Sequence, residues 1–197
     1  LSGVLAQTLS YTAPRYIAVE DSSLWMVTGT NTIAKYGVNS DGTLTAATLT
    51  LSGITTPGAL AVNNRGTVAV IDQDNQVVRF FNSRSGVEGT QLGVNGGYAG
   101  DPTVTNTKFM FDDLRGNTFG AISFAPDGSF WICDAGNQRQ LHFSAAKTYI
   151  ETIQSLGVSY STSVDPNNIT RVFANYMEFA VDYSQPLTGS TGWSYVK

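Results

Sequence analysis

The sequence has a single cysteine and a single histidine among its 197 residues. Cys133 therefore has no partner for an intramolecular disulfide, and its place in the apolar run Phe130–Cys133 is typical of a small buried side chain. His142 alone cannot form a histidine-rich zinc site, and a serine–histidine–aspartate triad would have to include it. No nucleophile-elbow motif or glycine-rich phosphate loop is present. These absences favour a function other than catalysis.

Charge is also scarce in this chain. Charged residues make up 13% of the sequence, about half the usual share, and the net charge is −4. Because Lys and Arg residues form no cluster, we expect no nucleic-acid binding through phosphate contacts. No run approaches the ~20 apolar residues of a membrane-spanning helix, so we expect no membrane insertion. A polar surface built from Thr, Ser, Gly and Asn is typical of exposed β-rich proteins, and we expect an extracellular or cell-surface location.

Three segments repeat one pattern of three short apolar runs separated by two polar turns. They are Tyr16–Tyr36, Ala59–Phe80 and Ala121–Phe143. The first apolar run recurs after 43 residues and again after a further 62 residues. A period of roughly 40–45 residues with strand-like content is typical of the four-stranded blade of a β-propeller. We therefore predict an all-β fold, a β-propeller of four-stranded antiparallel blades that is incomplete in this segment.

The same spacing predicts how the chain is divided. We interpret residues 1–197 as one partial propeller with blade one at about 11–53, blade two at about 57–93, an insertion at 94–118, blade three at about 119–154, an insertion at 155–176 and the start of blade four at 177–197. The fourth strand of blade two is predicted at Gly89–Gly93, and blade four is predicted to begin with Glu178–Asp182. The first strand of each blade is nearly all apolar, which predicts an innermost position with both faces buried between neighbouring blades.

The repeated pattern resembles the NHL repeat, a known type of β-propeller blade. The resemblance depends on a glycine before the second strand and on an Asp-x-x-Asn turn after it: Gly66, Asp72 and Asn75 in blade two, and Gly128, Asp134 and Asn137 in blade three. Blade one departs from the pattern, with Thr28 in the aspartate position. We expect both glycines to have positive φ angles in their turns. The resemblance implies a propeller and leaves function open, because propellers serve many functions.

The number of predicted blades raises the question of how the ring closes. Propellers need about four to eight blades, and this chain offers three and a fraction. The rest of the ring would come from the same, longer polypeptide or from a second chain. We favour the longer polypeptide, because the last unit stops in the middle of a blade.

Topology places the unusual sequence on one face of the predicted disc. In an antiparallel blade, the turns after strands two and four share one face, and the turns after strands one and three share the other. The Asp-x-x-Asn turns and the long connections Val94–Thr118 and Ser155–Met177 all follow a second or fourth strand. That face is therefore the predicted functional surface. Its candidate ligand contacts are the residues Tyr98, Asp101, Lys108, Phe111, Arg115, Arg171 and Tyr176.

Acidic residues on the same face suggest two interpretations. Asp72 and Asp134 either bind backbone N–H groups of their own turns, which we favour because the residues are repeated, or line a metal or polar ligand site. Separately, Asp101, Asp112 and Asp113 could hold a hard cation such as Ca²⁺, although no fixed ligand spacing indicates such a site. No other cofactor is predicted. Asn168-Ile169-Thr170 matches a glycosylation acceptor on a predicted loop.

Three functions remain open at this point. The leading hypothesis is a secreted or surface-exposed, NHL-like propeller that binds a protein or a glycan through the loops of one face, without catalysis. The first alternative is a propeller hydrolase or lyase, similar to lactonases or amidating lyases, with a metal in the central channel. The second alternative is a structural subunit whose open blade edges pair with other chains.

Overall fold

The computed structural model of the protein describes residues 5–103, 105–112, 120–154, 162–174, 177–185 and 192–197. The chain forms two compact units, residues 1–155 (unit one) and residues 156–197 (unit two). Strands make up most of the described secondary structure. Within the described ranges, no helix is long and apolar enough to cross a membrane.

Unit one contains three antiparallel sheets in chain order. Sheet one consists of β1 (Arg15–Glu20), β2 (Ser23–Val27), β3 (Ile33–Val38) and β4 (Leu44–Leu51), hydrogen-bonded in that order. Sheet two consists of β5 (Pro57–Asn63), β6 (Thr67–Asp72) and β7 (Val77–Asn82). Sheet three consists of β8 (Ala121–Phe124), β9 (Phe130–Asp134), β10 (Arg139–Phe143) and β11 (Tyr149–Gln154). A four-residue helix, α1 (Gly97–Gly100), lies in the connection between sheets two and three.

The three sheets lie within residues 11–53, 57–93 and 119–154, and two of their turns contain the expected glycines. Gly66 and Gly128 have φ angles of 84° and 89°, which confirms the positive φ expected of them. The fourth strand predicted at Gly89–Gly93 is wrong as a full strand. That segment contributes one isolated bridge, Leu92 with Val78, and a second bridge, Glu88 with Phe81, precedes it. Glycine and polar residues there offer few side chains to pack.

Sheet two is the centre of the core. One of its faces packs against sheet one through Val68, Val70 and Phe81, next to Trp25 and Ile33. The opposite face packs against sheet three, where Ala69, Ile71 and Phe80 meet the side chains of Ile122, Phe130, Ile132, Leu141 and Phe143. Since successive side chains of a strand point to opposite faces, a continuous apolar run such as β6 fits a strand buried on both sides.

The prediction that every first strand is buried on both faces is correct only for β5. In β1, Tyr16 and Ala18 pack towards sheet two, whereas Ile17 and Val19 on the other face are 65% and 64% exposed. In β8, Ile122 is buried and Ala121 and Ser123 are exposed. Successive side chains of β1 and β8 point to opposite faces, so each strand has one packed face and one exposed face.

Unit two contains one four-stranded antiparallel sheet. Its strands are β12 (Thr162–Asp165), β13 (Asn168–Ala174), β14 (Met177–Val181) and β15 (Trp193–Tyr195), in that order. The prediction of a loop at residues 155–176, with a blade beginning at Glu178, is therefore wrong for residues 162–174. The Asp165-Pro166-Asn167 segment makes a hairpin turn inside this sheet, and β14 is its third strand.

Candidate functional site

The turns of unit one form two sets, one at each end of the strands. The even-turn face comprises the turns after second and fourth strands, including residues 72–77, 134–139 and the connection from residue 94. The odd-turn face comprises the turns after first and third strands, including residues 63–67, 82–87, 124–130 and 143–149. The sequence predicted function on the even-turn face.

On the even-turn face, the connection between sheets two and three is held by buried hydrogen bonds. The carboxylate of Asp134 accepts hydrogen bonds from the Met110 amide at 2.6 Å, from the Asn137 side chain at 2.9 Å and from Arg139 Nε at 2.7 Å. Arg139 Nη2 also donates to the Thr105 and Lys108 carbonyls, at 2.7 Å and 3.1 Å. Burial raises the pKa of Asp134, opposed by the hydrogen bonds of Asn137 and Met110 and by the charge of Arg139.

Gln76 binds the same connection from sheet two. Its Oε1 accepts from the Phe111 amide at 2.6 Å, and its Nε2 donates to the Gln73 carbonyl at 2.7 Å and to Asp112 Oδ1 at 3.2 Å. Phe109 and Phe111, stacked 5.1 Å apart, are fully buried in the core. The connection is thus a packed structural segment over residues 105–112.

The first Asp-x-x-Asn turn has a looser network. Asp72 Oδ2 accepts from the Asn75 side chain at 3.0 Å and lies 3.5 Å from Arg79 Nη1. In sheet two, the residue paired with Asp72 on the neighbouring strand is Val77. In sheet three, the residue paired with Asp134 is Arg139. The arginine of sheet two therefore stands two residues further along β7, where it also binds Glu88 and the Gly53 carbonyl. Both carboxylates are engaged by their own turns and by an arginine.

Five of the seven predicted ligand contacts lie among the described residues, and each of these five has contacts within its own unit. Phe111 is buried, so its assignment as an aromatic surface contact is wrong. Lys108 forms an ion pair with the exposed Asp101, and Tyr98, in α1, is half-buried and donates its amide to the Phe109 carbonyl at 2.9 Å. Arg171, in β13 of unit two, pairs with Asp165 at 2.9 Å and with Glu178 at 2.6 Å. Arg115 and Tyr176 lie outside the described residues.

The calcium hypothesis involves residues with other contacts. Asp101 binds Lys108, Asp112 accepts from Gln76, and Asp113 lies outside the described residues. In the part of the chain that the structure describes, no group of three or more His, Cys, Asp or Glu side chains could hold a metal ion. A Ca²⁺ site therefore stays a prediction.

The odd-turn face contains a groove between sheets two and three that the sequence did not predict. Its volume is about 460 Å³, within the range of ligand-binding clefts. The aromatic lining includes Phe80, Phe124 and Phe130, with ring centroids 5.4 Å apart for Phe80 and Phe130 and 5.7 Å apart for Phe124 and Phe130. The polar lining includes Arg65, Glu88 and Lys147. An apolar wall with a few charged groups is the usual composition of a binding cleft.

Two cations of this groove reach across from opposite sheets. The guanidinium of Arg65, from the first turn of sheet two, lies so close to Gly128 of sheet three that a β-carbon on Gly128 would stand 3.0 Å from Nη1. Lys147, from the last turn of sheet three, donates to the Thr90 carbonyl and places Nζ 4.1 Å from the centre of the Phe80 ring. Burial lowers the pKa of Lys147. Arg65 and Lys147 therefore flank the groove from its two sides.

The open face of sheet three contains a serine, a histidine and a glutamate in contact. Ser129 Oγ lies 3.1 Å from His142 Nε2, and His142 Nδ1 lies 3.0 Å from Glu151 Oε1. The hydroxyl of Ser129 also donates to Asp127 at 2.7 Å, and Ser129 is only 6% exposed. Trp131 stacks on the imidazole at 4.3 Å. These contacts tie the first turn of sheet three to its strands and leave little access to the hydroxyl.

Solved structures resemble the chain over most of its length. A protein from Lactobacillus plantarum, determined by a structural genomics consortium, superposes with a TM-score of 0.50 and 13% sequence identity, over 96% of this chain and 56% of the other. The fold is a β-propeller. Further similarities are to a chain of the mitotic checkpoint complex (TM-score 0.49, 14% identity, covering 92% of this chain and 50% of that one) and to Kluyveromyces lactis Hsv2 (TM-score 0.47, 10% identity, covering 92% and 60%).

The propeller spans between 50% and 60% of the length of these three structures. No family model matches the chain. No curated protein matches it. At these identities the similarities bear on fold alone, because one fold serves many functions.

Only part of the groove could be predicted from the sequence. Its phenylalanines belong to strands or strand ends and have the pattern of core residues, and Arg65 and Lys147 are 82 residues apart in the sequence. The available signal was the position of each cation, because both follow a first or third strand and so share a face. The long connections have the more unusual sequence, but the first of them is packed into the fold at residues 105–112.

Proposed function

We propose that this protein is a non-enzymatic binding scaffold that takes a segment of a partner protein into the groove between sheets two and three. The observation that carries this proposal is the groove itself, with its aromatic lining and two cations that come from neighbouring blades. A protein segment suits a groove built from four separate turns, since loops positioned by a rigid scaffold are the usual binding elements of repeat folds.

The proposal moves the binding surface from the even-turn face to the odd-turn face. On the even-turn face, the described part of the connection is occupied by internal hydrogen bonds of Asp134, Arg139 and Gln76. Groups already paired inside the fold gain little from a new partner. On the odd-turn face, Arg65 and Lys147 have no ion pair with any described carboxylate within 4.0 Å. Lys147 donates to the Thr90 carbonyl, but neither positive charge has an opposite charge at ion-pair distance among the described residues, so a ligand carboxylate can supply it.

We also propose that the blades are of the NHL type and that the protein is secreted or surface-exposed. The NHL assignment is supported by the Asp-x-x-Asn turns, where Asn75 and Asn137 each donate to the aspartate three residues earlier. The location is supported by composition, chiefly the 13% of charged residues. Fractionation of the producing cells tests the location, and detection only inside the cytoplasm would overturn it.

The binding proposal is tested by selecting peptides from a random display library on the immobilised chain. Each selected peptide is then titrated against two matched variants, Ala145→Trp and Ala99→Trp. Ala145 lines the groove on the odd-turn face, and Ala99 lies in α1 on the even-turn face, and both are exposed. We expect Ala145→Trp to block binding and Ala99→Trp to leave it unchanged. Loss of binding in Ala99→Trp alone would contradict the proposal and restore the even-turn face.

A further inference from the structure

Among the described Lys and Arg residues, those without an ion pair to a described carboxylate lie mostly on one face of unit one. Of the Lys and Arg residues that the structure describes, those with an ion pair to a described carboxylate are Lys35, Arg79, Lys108, Arg139, Arg171 and Lys197. The others are Arg15, Arg65, Arg84 and Lys147. The last three of these follow first or third strands and belong to the odd-turn face.

These three cations share the odd-turn face although the chain as a whole is negatively charged. The chain has a net charge of −4, so a randomly placed site would be acidic on average. Glu88, the acidic residue of the groove, is already bound to Arg79, and this hydrogen bond lowers its pKa. Asp127, next to Arg65, accepts hydrogen bonds from the amide and hydroxyl of Ser129. Glu88 is therefore bound by an arginine outside the groove lining, and Asp127 is held chiefly by Ser129, with a smaller contribution from the charge of Arg65 that also lowers its pKa.

Of the described cations that lack an ion pair with a described carboxylate, Lys147 has the closest contacts within the groove. Its ammonium lies over the Phe80 ring and reaches a backbone carbonyl, Thr90 O. A partly desolvated ammonium with neutral partners gains more from an added carboxylate than a fully hydrated one, because the dielectric around it is lower. Arg65 offers a planar guanidinium suited to bidentate carboxylate binding.

Apolar surface lies beside these charges. Phe130 is almost fully buried, whereas Phe124 is half-buried and lines the groove. A ligand side chain that contacts Phe124 would remove apolar surface from water, while the neighbouring ligand residue binds a cation. A good ligand therefore combines a carboxylate with an adjacent apolar or aromatic residue.

We infer that the groove recognises an acidic peptide segment of a partner protein, in which Asp or Glu side chains bind Arg65 and Lys147 and an adjacent large apolar side chain packs on Phe124. This inference rests on the proposed function and specifies its ligand. The long-range attraction of the cations guides association, and the aromatic contact provides the anchor.

The test uses the whole chain and three fluorescein-labelled peptides followed by fluorescence anisotropy. The acidic probe is Gly-Ser-Asp-Leu-Asp-Phe-Asp-Gly. The neutral probe has Asn in place of each Asp, and the basic probe has Lys. At about 150 mM salt we expect the acidic probe to bind at least about tenfold more tightly than the neutral one, with the basic probe weakest, and the difference to shrink as salt screens the charges.

Matched variants identify the residues responsible. The double variant Arg65→Gln with Lys147→Met removes both charges while keeping most of the side-chain volume. We expect it to weaken the acidic probe about tenfold and to leave the neutral probe unchanged. Arg84→Gln is the control, since Arg84 is exposed on the same face but does not line the groove. Its effect should stay within about twofold.

The outcomes separate this inference from the function on which it rests. Equal affinity for the acidic and neutral probes, no binding of the acidic probe up to about 1 mM, or an equal effect of Arg84→Gln would overturn the inference. Library peptides that Ala145→Trp blocks but that carry no excess of Asp or Glu would overturn the inference and keep the groove as the binding site. If no library peptide is sensitive to Ala145→Trp, both are wrong.

Discussion

Arg139 Nε lies 2.7 Å from Asp134 Oδ2, and the two side chains are 4% and 0% exposed. This buried ion pair joins the second and third strands of sheet three to the connection that arrives from sheet two. Breaking a buried pair from one side leaves an uncompensated charge, which costs far more than the pair itself contributes. We therefore expect the aspartates of the two Asp-x-x-Asn turns to contribute different amounts to the free energy of unfolding, although the turns are alike in sequence.

The first prediction compares the two turns directly. Asp134→Asn should lower the free energy of unfolding by about 3–5 kcal/mol, because Arg139 would remain buried without its carboxylate. Asp72→Asn should cost only about 1 kcal/mol, since Arg79 keeps its ion pair with Glu88. Urea denaturation followed by circular dichroism measures both. Equal losses would show that the arginine pairing does not distinguish the turns.

The second prediction concerns the amide side chain of Gln76. Gln76→Leu should cost about 2–3 kcal/mol, because the Phe111 amide and the Gln73 carbonyl would lose their buried partner. Hydrogen–deuterium exchange should show faster exchange of the Phe111 amide. The control is Gln91→Leu, which changes an exposed glutamine bound only to Asn95 in the described structure. Unchanged exchange at Phe111 in Gln76→Leu would contradict the assigned role of this side chain.

How far the sequence predicts the fold depends on which interactions are local. The strands of unit one follow from apolar runs and turn residues, and so does the positive φ of Gly66 and Gly128. The sequence does not predict strands β12 and β13, because an Asp-Pro step such as Asp165-Pro166 is typical of a loop. In the structure this step is the hairpin turn between the two strands, whereas Asp101-Pro102 in the first connection lies outside any strand.

The candidate site was harder to predict because its parts come together only in the tertiary structure. Arg65 and Phe130 belong to different blades, and nothing near Arg65 in the sequence shows that it would reach Gly128. Conversely, Phe111 lies in a segment with several charged residues. Its amide nevertheless donates to Gln76, and its side chain is fully buried in the core. Unusual local sequence indicated a special role and could not distinguish packing from binding.

The third prediction concerns acid stability. Glu20 joins sheet one to sheet two, accepting from Lys35 Nζ at 2.9 Å and from Ser83 Oγ at 2.6 Å. Burial acts to raise the pKa of Glu20, but the hydrogen bonds from Ser83 and Lys35 outweigh it, and the pKa is lowered. The folded state thus binds the proton less well than the unfolded state. The stabilisation is present above the ordinary glutamate pKa and is lost as the pH falls through the lowered value.

Glu20→Gln should therefore cost about 1–2 kcal/mol at neutral pH and progressively less towards about pH 3. Urea denaturation of the wild type and the variant across this range measures the difference. Asp21→Asn is the control, because Asp21 is the exposed neighbouring carboxylate. A cost for Glu20→Gln that is independent of pH would contradict the proposed link between the two sheets.

The most direct test of the account is a hydrogen–deuterium exchange map of the chain with and without the acidic probe peptide. The account predicts slower exchange in the turns at residues 63–67, 82–89, 124–130 and 143–149, which surround the groove. Exchange at residues 72–77 and 94–103 on the even-turn face should be unchanged. Protection confined to the even-turn face would contradict the account and return the binding site to the surface that the sequence first indicated.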